Sequence, residues 1–364
     1  MAYTATGLEN RSDMAANRRV TIRDVAERAG VSVATASRVL SGNYAVPQAT
    51  RTRVLRAAQA LDYVANAHAR ALVGGGRKMV AVLVRQVTSP FYAHVAEGVE
   101  AEAAAHGWLC LVGTTGGEPQ RELEFVQLMR EEGARLVILV GGVVEDDTYR
   151  GRVAQYAQAL NASGARLVLC GRPAPGPDIP ALVVEFDNEA GARAITGHLL
   201  SAGHRRIVFL GGLPGNTALD ARVAGYRAAL AEHRLPPEAA HVIDSGLGRE
   251  GGERAMAELL KRRRDFTAVF AGDDMVAAGA LRAIADAGLR VPDDISVVGY
   301  NDIPLAADFN PPLTTVRTPA EELGREAVRI ALRTPQDSPS SRHVLGTHIV
   351  VRESVAAPPP ERTP

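Results

Sequence analysis

The chain has 364 residues, 46% of them hydrophobic and 23% charged, with 41 basic against 41 acidic side chains. That length exceeds one compact core and suits two to three domains. No apolar run approaches the roughly 20 residues that span a bilayer, and only two cysteines, Cys110 and Cys170, occur, which excludes a disulfide framework and a four-thiolate metal site.

The balanced charge hides an asymmetry. Residues 11–78 carry eleven Arg and one Lys against four acids, a net of +8. Residues 79–364 hold 29 bases against 36 acids, a net of −7. A basic head on an acidic body is the electrostatic footprint of a nucleic-acid-binding segment.

Residues 1–18 are polar and unpatterned, and they lack the apolar stretch of a secretory signal. They are expected to be disordered, and the chain to be cytoplasmic. Residues 19–65 show three helical patterns. The first covers about 22–29, with Thr21 as N-cap and Asp24 three residues on to complete a capping box. Gly30 supplies the left-handed conformation that ends it. The second covers about 33–40 after Ser32, and the third about 48–61 after Pro47. Ile22, Val25, Ala26 and Ala29 share one face of the first helix, Val31 plugs the turn, and Val39 and Leu40 close the second helix on it. That spacing makes a helix-turn-helix.

The second helix is built of small side chains, Val33, Ala34 and Ser37 among them, which lets it sit deep in a major groove. Arg38 can reach both acceptors of a guanine, Val33 and Ala34 can touch thymine methyls, and Ser32 and Ser37 can bond phosphates or bases.

Residues 66–77 form a connector ending in Gly74, Gly75 and Gly76. From 79 onward apolar runs alternate with amphipathic helices. The runs fall at 80–84, 108–113, 136–142, 166–171, 181–186, 206–212, 241–245, 268–274 and 295–302, and helices such as 92–106, 119–132, 188–203 and 221–233 lie between. Short buried strands alternating with helices mean a doubly wound parallel α/β sheet. Nine or more strands are too many for one comfortable sheet, so two subdomains are expected, with a ligand at the carboxyl ends of the strands. The tail from 357 is Pro-rich and expected to be disordered.

The stretch TIRDVAERAGVSVATASRVLSG (21–42) resembles the signature of the lactose/galactose-repressor (LacI/GalR) family of bacterial transcription regulators. The similarity continues through YVANAHARALVGGG, TSPFYAHVAEGVEAEAAAHGW, ARVAGYRAAL and AVFAGDDMVAAGALRAIADAGLRVPDDISVVGYND. The Val33-Ala34 pair is similar to the galactose-repressor branch.

The resemblance implies a body like periplasmic sugar-binding proteins. One effector-binding subdomain would comprise 78–187 plus about 315–340, and the other 188–314 plus about 341–356. It implies DNA contacts from Thr21, Thr50 and Tyr63, and a hinge helix at 66–72 that forms on DNA. There Asn66, Ala69 and Leu72 would fall at the hinge positions, Arg70 would lie along the minor groove, and Leu72 would wedge into a base step, a contact that trades unstacking for a bent site. It also implies effector contacts from Phe91, Arg172, Arg222, Asn301 and Asp302. Asn301 stands where the family commonly has Asp, so the ligand's donor and acceptor pattern differs there, and Asp302 is alternatively a brace for its loop.

The expected protein is thus a homodimer that binds double-stranded operator DNA and responds to a small sugar-like effector, with no metal, cofactor or membrane partner. Two alternatives stay open. One is a regulator whose purine-like ligand tightens DNA binding; the other is a sugar-binding protein without a DNA role. GLGREG (246–251) matches the G-x-G-x-x-G pattern, but the pattern alone is weak. His198 and His204 are off any helical metal spacing. No G-x-S-x-G, P-loop lysine or paired catalytic carboxylates occur, and an enzyme is not expected.

Overall fold

Thr21 starts the first helix as its sequence suggests. Its backbone N–H and its hydroxyl both donate to the Asp24 carboxylate at 2.7 Å. In the computed structural model, which describes residues 20–41, 46–63, 78–174, 176, 178–212, 214–335 and 341–360, helix α1 spans Ile22–Ala29. The extension 1–18, the connector 66–77 and residues 361–364 lie outside the described residues.

Residues 1–77 and 78–364 are separate units. In the first, α1 is followed by α2 (Val33–Ser41) and α3 (Gln48–Ala60). Gly30 ends α1 at φ 64°, and the Val31 N–H returns to the Ala26 carbonyl at 3.0 Å. That is the glycine-dependent helix end in which a Cβ would be strained. Val25, Ala26, Ala29, Ala36, Val39, Val54, Ala57 and Ala58 form the core, with Ile22, Val31, Leu40 and Tyr63 packed around it.

The second unit contains two parallel sheets. The first has six strands in the order β11-β5-β4-β3-β1-β2. These are β1 (Met79–Val84), β2 (Leu109–Thr114), β3 (Leu136–Val140), β4 (Arg166–Cys170), β5 (Ala181–Phe186) and β11 (Ser341–Leu345). Helices α4 (Pro90–Ala105) and α11 (Ala320–Arg333) cover one face, and α5 (Pro119–Glu131) and α6 (Asp147–Ala162) the other. The second sheet has the order β7-β6-β8-β9. It comprises β6 (Ile207–Gly212), β7 (His241–Asp244), β8 (Ala268–Ala271) and β9 (Ser296–Val298). Helices α7 (Asn188–Ser201) and α8 (Thr217–Glu232) lie on one face, α9 (Gly248–Arg262) and α10 (Asp274–Asp286) on the other. An antiparallel pair, β10 (Thr315–Arg317) with β12 (His348–Val350), joins the second subdomain through bridges from Thr314 to Val298 and from Arg317 to Asn301.

The chain therefore crosses between subdomains three times. The first crossing falls at Asp187, between β5 and α7. The other two differ: β10 at 315–317 sits with the second subdomain, and β11 at 341–345 completes the sheet of the first by pairing with β5. The expected boundaries near 315 and 341 move to 318–319 and 346–347. The reason is that SRHVL is an edge strand with half its side chains exposed, so it carries no apolar run.

The tail also differs from expectation up to residue 360. His204, buried, accepts or donates at the Thr267 and Ser296 hydroxyls (2.9 and 3.0 Å) and donates to the Ala356 carbonyl (2.9 Å). Pro358 packs against Gly203. His204 is thus a structural pin for the returning chain.

Helices α4 and α11 meet at glycines. A Cβ on Gly324 would fall 2.1 Å from the Val95 carbonyl oxygen, and one on Gly98 would fall 1.9 Å from that of Glu321. Both obstacles are backbone, so the helices would have to separate. Gly324→Ala should therefore lower unfolding stability by about 1–3 kcal/mol in a denaturant titration. A stability equal to that of the wild type would mean the crossing is looser than drawn.

Candidate DNA-reading helix and effector cleft

The first unit presents α2 with one face in and one face out. Ala36 and Val39 are buried, whereas Val33 is 44% exposed and Ala34, Ser32 and Arg38 are exposed. Ser37 is half-buried. The Ser32 hydroxyl accepts from the Thr35 N–H at 3.1 Å and pairs with the Thr35 hydroxyl at 2.9 Å, so it caps α2. Thr21 is exposed at the start of α1, Thr50 is half-buried near the start of α3, and Tyr63 is half-buried against the three-helix core. The structure thus brings Ser32, Val33, Ala34, Ser37 and Arg38 onto one helix. Asn66, Ala69, Arg70 and Leu72 lie outside the described residues.

In the second unit a cavity of about 490 Å³ opens between the two sheets, at the carboxyl ends of their strands. This is the size and place expected of a small-molecule site in open α/β folds. Phe91, Arg222 and Asn301 all line it. Phe91 stands at the start of α4 and contacts Tyr92 and Phe186 edge-on, at 5.5 and 6.1 Å between ring centres.

Arg222 projects from α8 and is 6% exposed. Its Nε donates to Asn188 Oδ1 (2.8 Å), Nη1 to the Gly272 carbonyl (2.6 Å) and Nη2 to Asn301 Oδ1 (3.4 Å). Its guanidinium lies 3.8 Å from the centre of the Tyr300 ring. Burial pulls its pKa down, while Tyr300, Asp273 and Asp274 act to raise it. These bonds hold the plane rigid and leave two of the five guanidinium N–H groups for a ligand. Asn301 spends its oxygen on Arg222, so its amide N–H₂ is what it can offer.

The loop behind Asn301 is strained and braced. Asn301 and Asp302 have φ of 108° and 53°, values that Asn and Asp tolerate better than most residues. Asp302 accepts from Arg317 at 2.6 Å and pairs with Arg352 at 2.7 Å. Asp274 accepts from the Ile303 N–H (2.8 Å) and the Thr315 hydroxyl (2.6 Å), and burial pushes its pKa up to about 7. Asp302 does not line the 490 Å³ cavity; it lines an adjoining one with Phe91 and Asn301, where Arg317 and Arg352 hold its carboxylate.

Arg172 is not on that wall either. It is buried beside Glu122, to which its Nη1 donates at 2.8 Å. Burial acts to lower its pKa, but the Glu122 carboxylate and the Tyr149 hydroxyl beside it together more than offset this. Both residues line a smaller neighbouring chamber.

Several wall residues carried no distinct signal in the sequence. Asn188, Asn216 and Asp273 follow strands and sit at helix starts. Asn216 and Asp273 cap α8 and α10 by accepting from Leu219 and Val276 N–H groups at 3.2 and 2.8 Å. Burial raises the Asp273 pKa, with Val276 and Arg222 opposing. The rule that ligands bind at strand carboxyl ends would have singled out these positions. Gly248, Arg249 and Glu250 of GLGREG also line the cavity.

The two lips of the cleft touch. Thr217 N–H donates to the Val143 carbonyl at 2.9 Å, Val143 N–H donates to the Thr217 hydroxyl at 3.2 Å, and Val144 bridges to Asn216. These contacts join a loop after β3 to the start of α8, one from each subdomain.

Among the described residues no helix is long and apolar enough to cross a membrane. The profile of bacterial regulatory proteins, lacI family, matches residues 21–66, and that of the periplasmic binding protein-like domain matches residues 196–355. The HTH-type transcriptional regulator CelR of Thermobifida fusca is 35% identical over 350 residues, covering 94% of this chain and 100% of its own. The lac repressor dimer bound to operator and the anti-inducer ONPF superposes with a TM-score of 0.78 at 27% identity, over 93% of this chain and 100% of that one. The CelR–cellobiose complex superposes with a TM-score of 0.66 at 33% identity, over 92% and 100%. A reading helix of this form, an α/β body of this topology and relatives alike over nearly the whole length lead to one conclusion: the chain belongs to the lacI family of bacterial transcription regulators.

Proposed function

We propose that this protein is a cytoplasmic, homodimeric repressor that binds a pseudo-palindromic operator and releases it when a sugar-like effector occupies the cleft. The observation that carries this reading is the wall of the 490 Å³ cavity, where an aromatic side chain faces an interlocked set of planar polar groups. Phe91 offers an apolar surface to the C–H face of a sugar ring. Arg222, Asn188 and Asn301 are already bonded to one another, so hydroxyls meet oriented donors and acceptors at little reorganisation cost. The lac repressor bound to operator as a dimer and CelR bound to cellobiose support the same roles here.

The mechanism follows from linkage. An effector that touches both subdomains favours one closure of the cleft over another, and it can release operator only by its affinity difference between the two states. The Val143–Thr217 contact lies on the seam that such a change would alter. A mobility-shift titration with a palindromic operator, repeated with cellobiose and a panel of mono- and disaccharides, tests the reading. Operator affinity should fall with one sugar and be unchanged by the rest. A sugar or purine that tightens binding instead would overturn the direction of control.

A further inference from the structure

Beside the effector cavity, and sharing Arg85, Tyr92 and Gly142 with it, lies a chamber of about 170 Å³. Three guanidinium groups line it: Arg85, Arg152 and Arg172. Its carboxylates are Glu118 and Glu122. Glu122 is committed to Arg172, both buried, and Glu118 pairs with Arg121 at 3.1 Å on the exposed side. No carboxylate of the described residues pairs with Arg85 or Arg152, so the wall keeps a positive surplus.

The surplus coincides with unmet hydrogen-bonding capacity. Tyr149 Oη, Arg152 Nε and Arg172 Nε are buried without a well-formed hydrogen bond to protein, the Tyr149 hydroxyl meeting the Arg172 guanidinium only loosely. Tyr149 and Arg172 are only 3% and 4% exposed. Orphaned polar atoms are rare in protein interiors, and three on one small wall call for an occupant. Two further features suit a negative one. The chamber includes the start of the 13-residue helix α5, whose positive end favours anions. Gly117, at φ 85°, leaves room for the Arg85 guanidinium, since a Cβ there would fall 2.3 Å from Nη1.

We propose that this chamber receives an anionic oxygen group of the effector, a carboxylate or a phosphate, and that the effector is an acidic sugar derivative rather than a neutral sugar. The inference rests on the cleft being the effector site. The sugar ring occupies the larger cavity, and the acidic substituent passes Tyr92 to meet Arg85 and Arg152. The Tyr149 hydroxyl donates to it. Arg172 orients that hydroxyl and stays neutralised by Glu122.

The test uses the full chain and thermal-shift titrations at constant ionic strength, with inorganic phosphate, glucuronate, glucose 6-phosphate and glucose as probes. Phosphate should stabilise the protein beyond chloride. Tyr149→Phe removes a hydroxyl that touches the Arg172 guanidinium, and Arg172 keeps its bond to Glu122, while phosphate binding should weaken about ten-fold or more, as for a bond to a charged group. Arg152→Gln should weaken it similarly. A stronger response to glucose 6-phosphate than to glucuronate assigns a phosphate, and the reverse a carboxylate. No phosphate response, or one that both variants retain, overturns the proposal and leaves an ordered water as the occupant. A neutral sugar that releases operator while phosphate has no effect removes the chamber but keeps the sugar reading. A phosphate response lost in Tyr149→Phe, with no sugar of any kind releasing operator, keeps the chamber and removes the sugar reading.

Discussion

Arg222→Ala is expected to keep operator binding and lose the response to effector. The side chain supplies the only guanidinium that bonds Asn188, Gly272 and Asn301 at once within the described residues. Its two remaining N–H groups are charge-assisted donors on a buried side chain, where such bonds contribute about 1.5–3 kcal/mol each. Losing them should weaken effector binding by a factor on the order of 10 to 100. Residues 32–38, the candidates for reading the operator, belong to the other unit, so DNA affinity without effector should stay within a few-fold. Stability will fall as well, because the carbonyl of Gly272 and the amide of Asn188 lose their donor and the face of Tyr300 loses its cation. Each such orphaned group costs about 1–3 kcal/mol. Arg222→Lys separates the two effects. It keeps the charge over Tyr300 but cannot reproduce a planar fork, so it should lose less stability and still fail to respond. The measurement is operator affinity with and without effector for both variants, alongside thermal melting. Normal induction in Arg222→Ala would remove Arg222 from the effector site.

Much of this architecture was legible because its elements carry periodic signals. The turn at Gly30 and the inward face of Val25, Ala26, Ala29 and Val39 follow from spacing alone, and the buried strands stand out as apolar runs. The exchange of strands between subdomains was not legible in the same way. β11 alternates half-buried and exposed residues, and its place beside β5 depends on a partner some 160 positions earlier, seen in the pairing of Ser341 with Leu182. The cleft divides along similar lines. Phe91, Arg222 and Asn301 came through the family resemblance of their motifs, whereas Asn188, Asn216 and Asp273 look like ordinary helix starts, and two of them do cap a helix. Arg172 shows the limit most plainly. Nothing near CGRP indicates that Glu122, fifty positions away, turns its guanidinium into the side chamber. Asp302 read as either ligand contact or brace, and its partners Arg317 and Arg352 lie 15 and 50 positions on, too far for the local sequence to show them.

Replacing Arg38 by Ala should relax specificity at one base pair of each half-site. The outward face of α2 offers little else for polar readout. The Ser32 hydroxyl is occupied in capping Thr35, and Val33 and Ala34 have only methyl groups to present. Those methyls can discriminate thymine by contact but cannot form the paired hydrogen bonds that separate G·C from A·T. Arg38 is exposed one turn further along the same helix and is long enough to reach the two acceptors of a guanine. A bidentate contact of that kind is worth about 1–3 kcal/mol of discrimination. With a panel of operators changed one base pair at a time, the wild type should lose affinity by that amount at one symmetric position, and Arg38→Ala should bind the original and the changed site equally. A phosphate contact would behave differently. It would weaken all operators alike and lower the salt dependence of binding by about one unit of slope for each arginine removed. Uniform weakening with the specificity profile intact would therefore reassign Arg38 to the backbone, leaving Ser37 and the two small apolar side chains to read the groove.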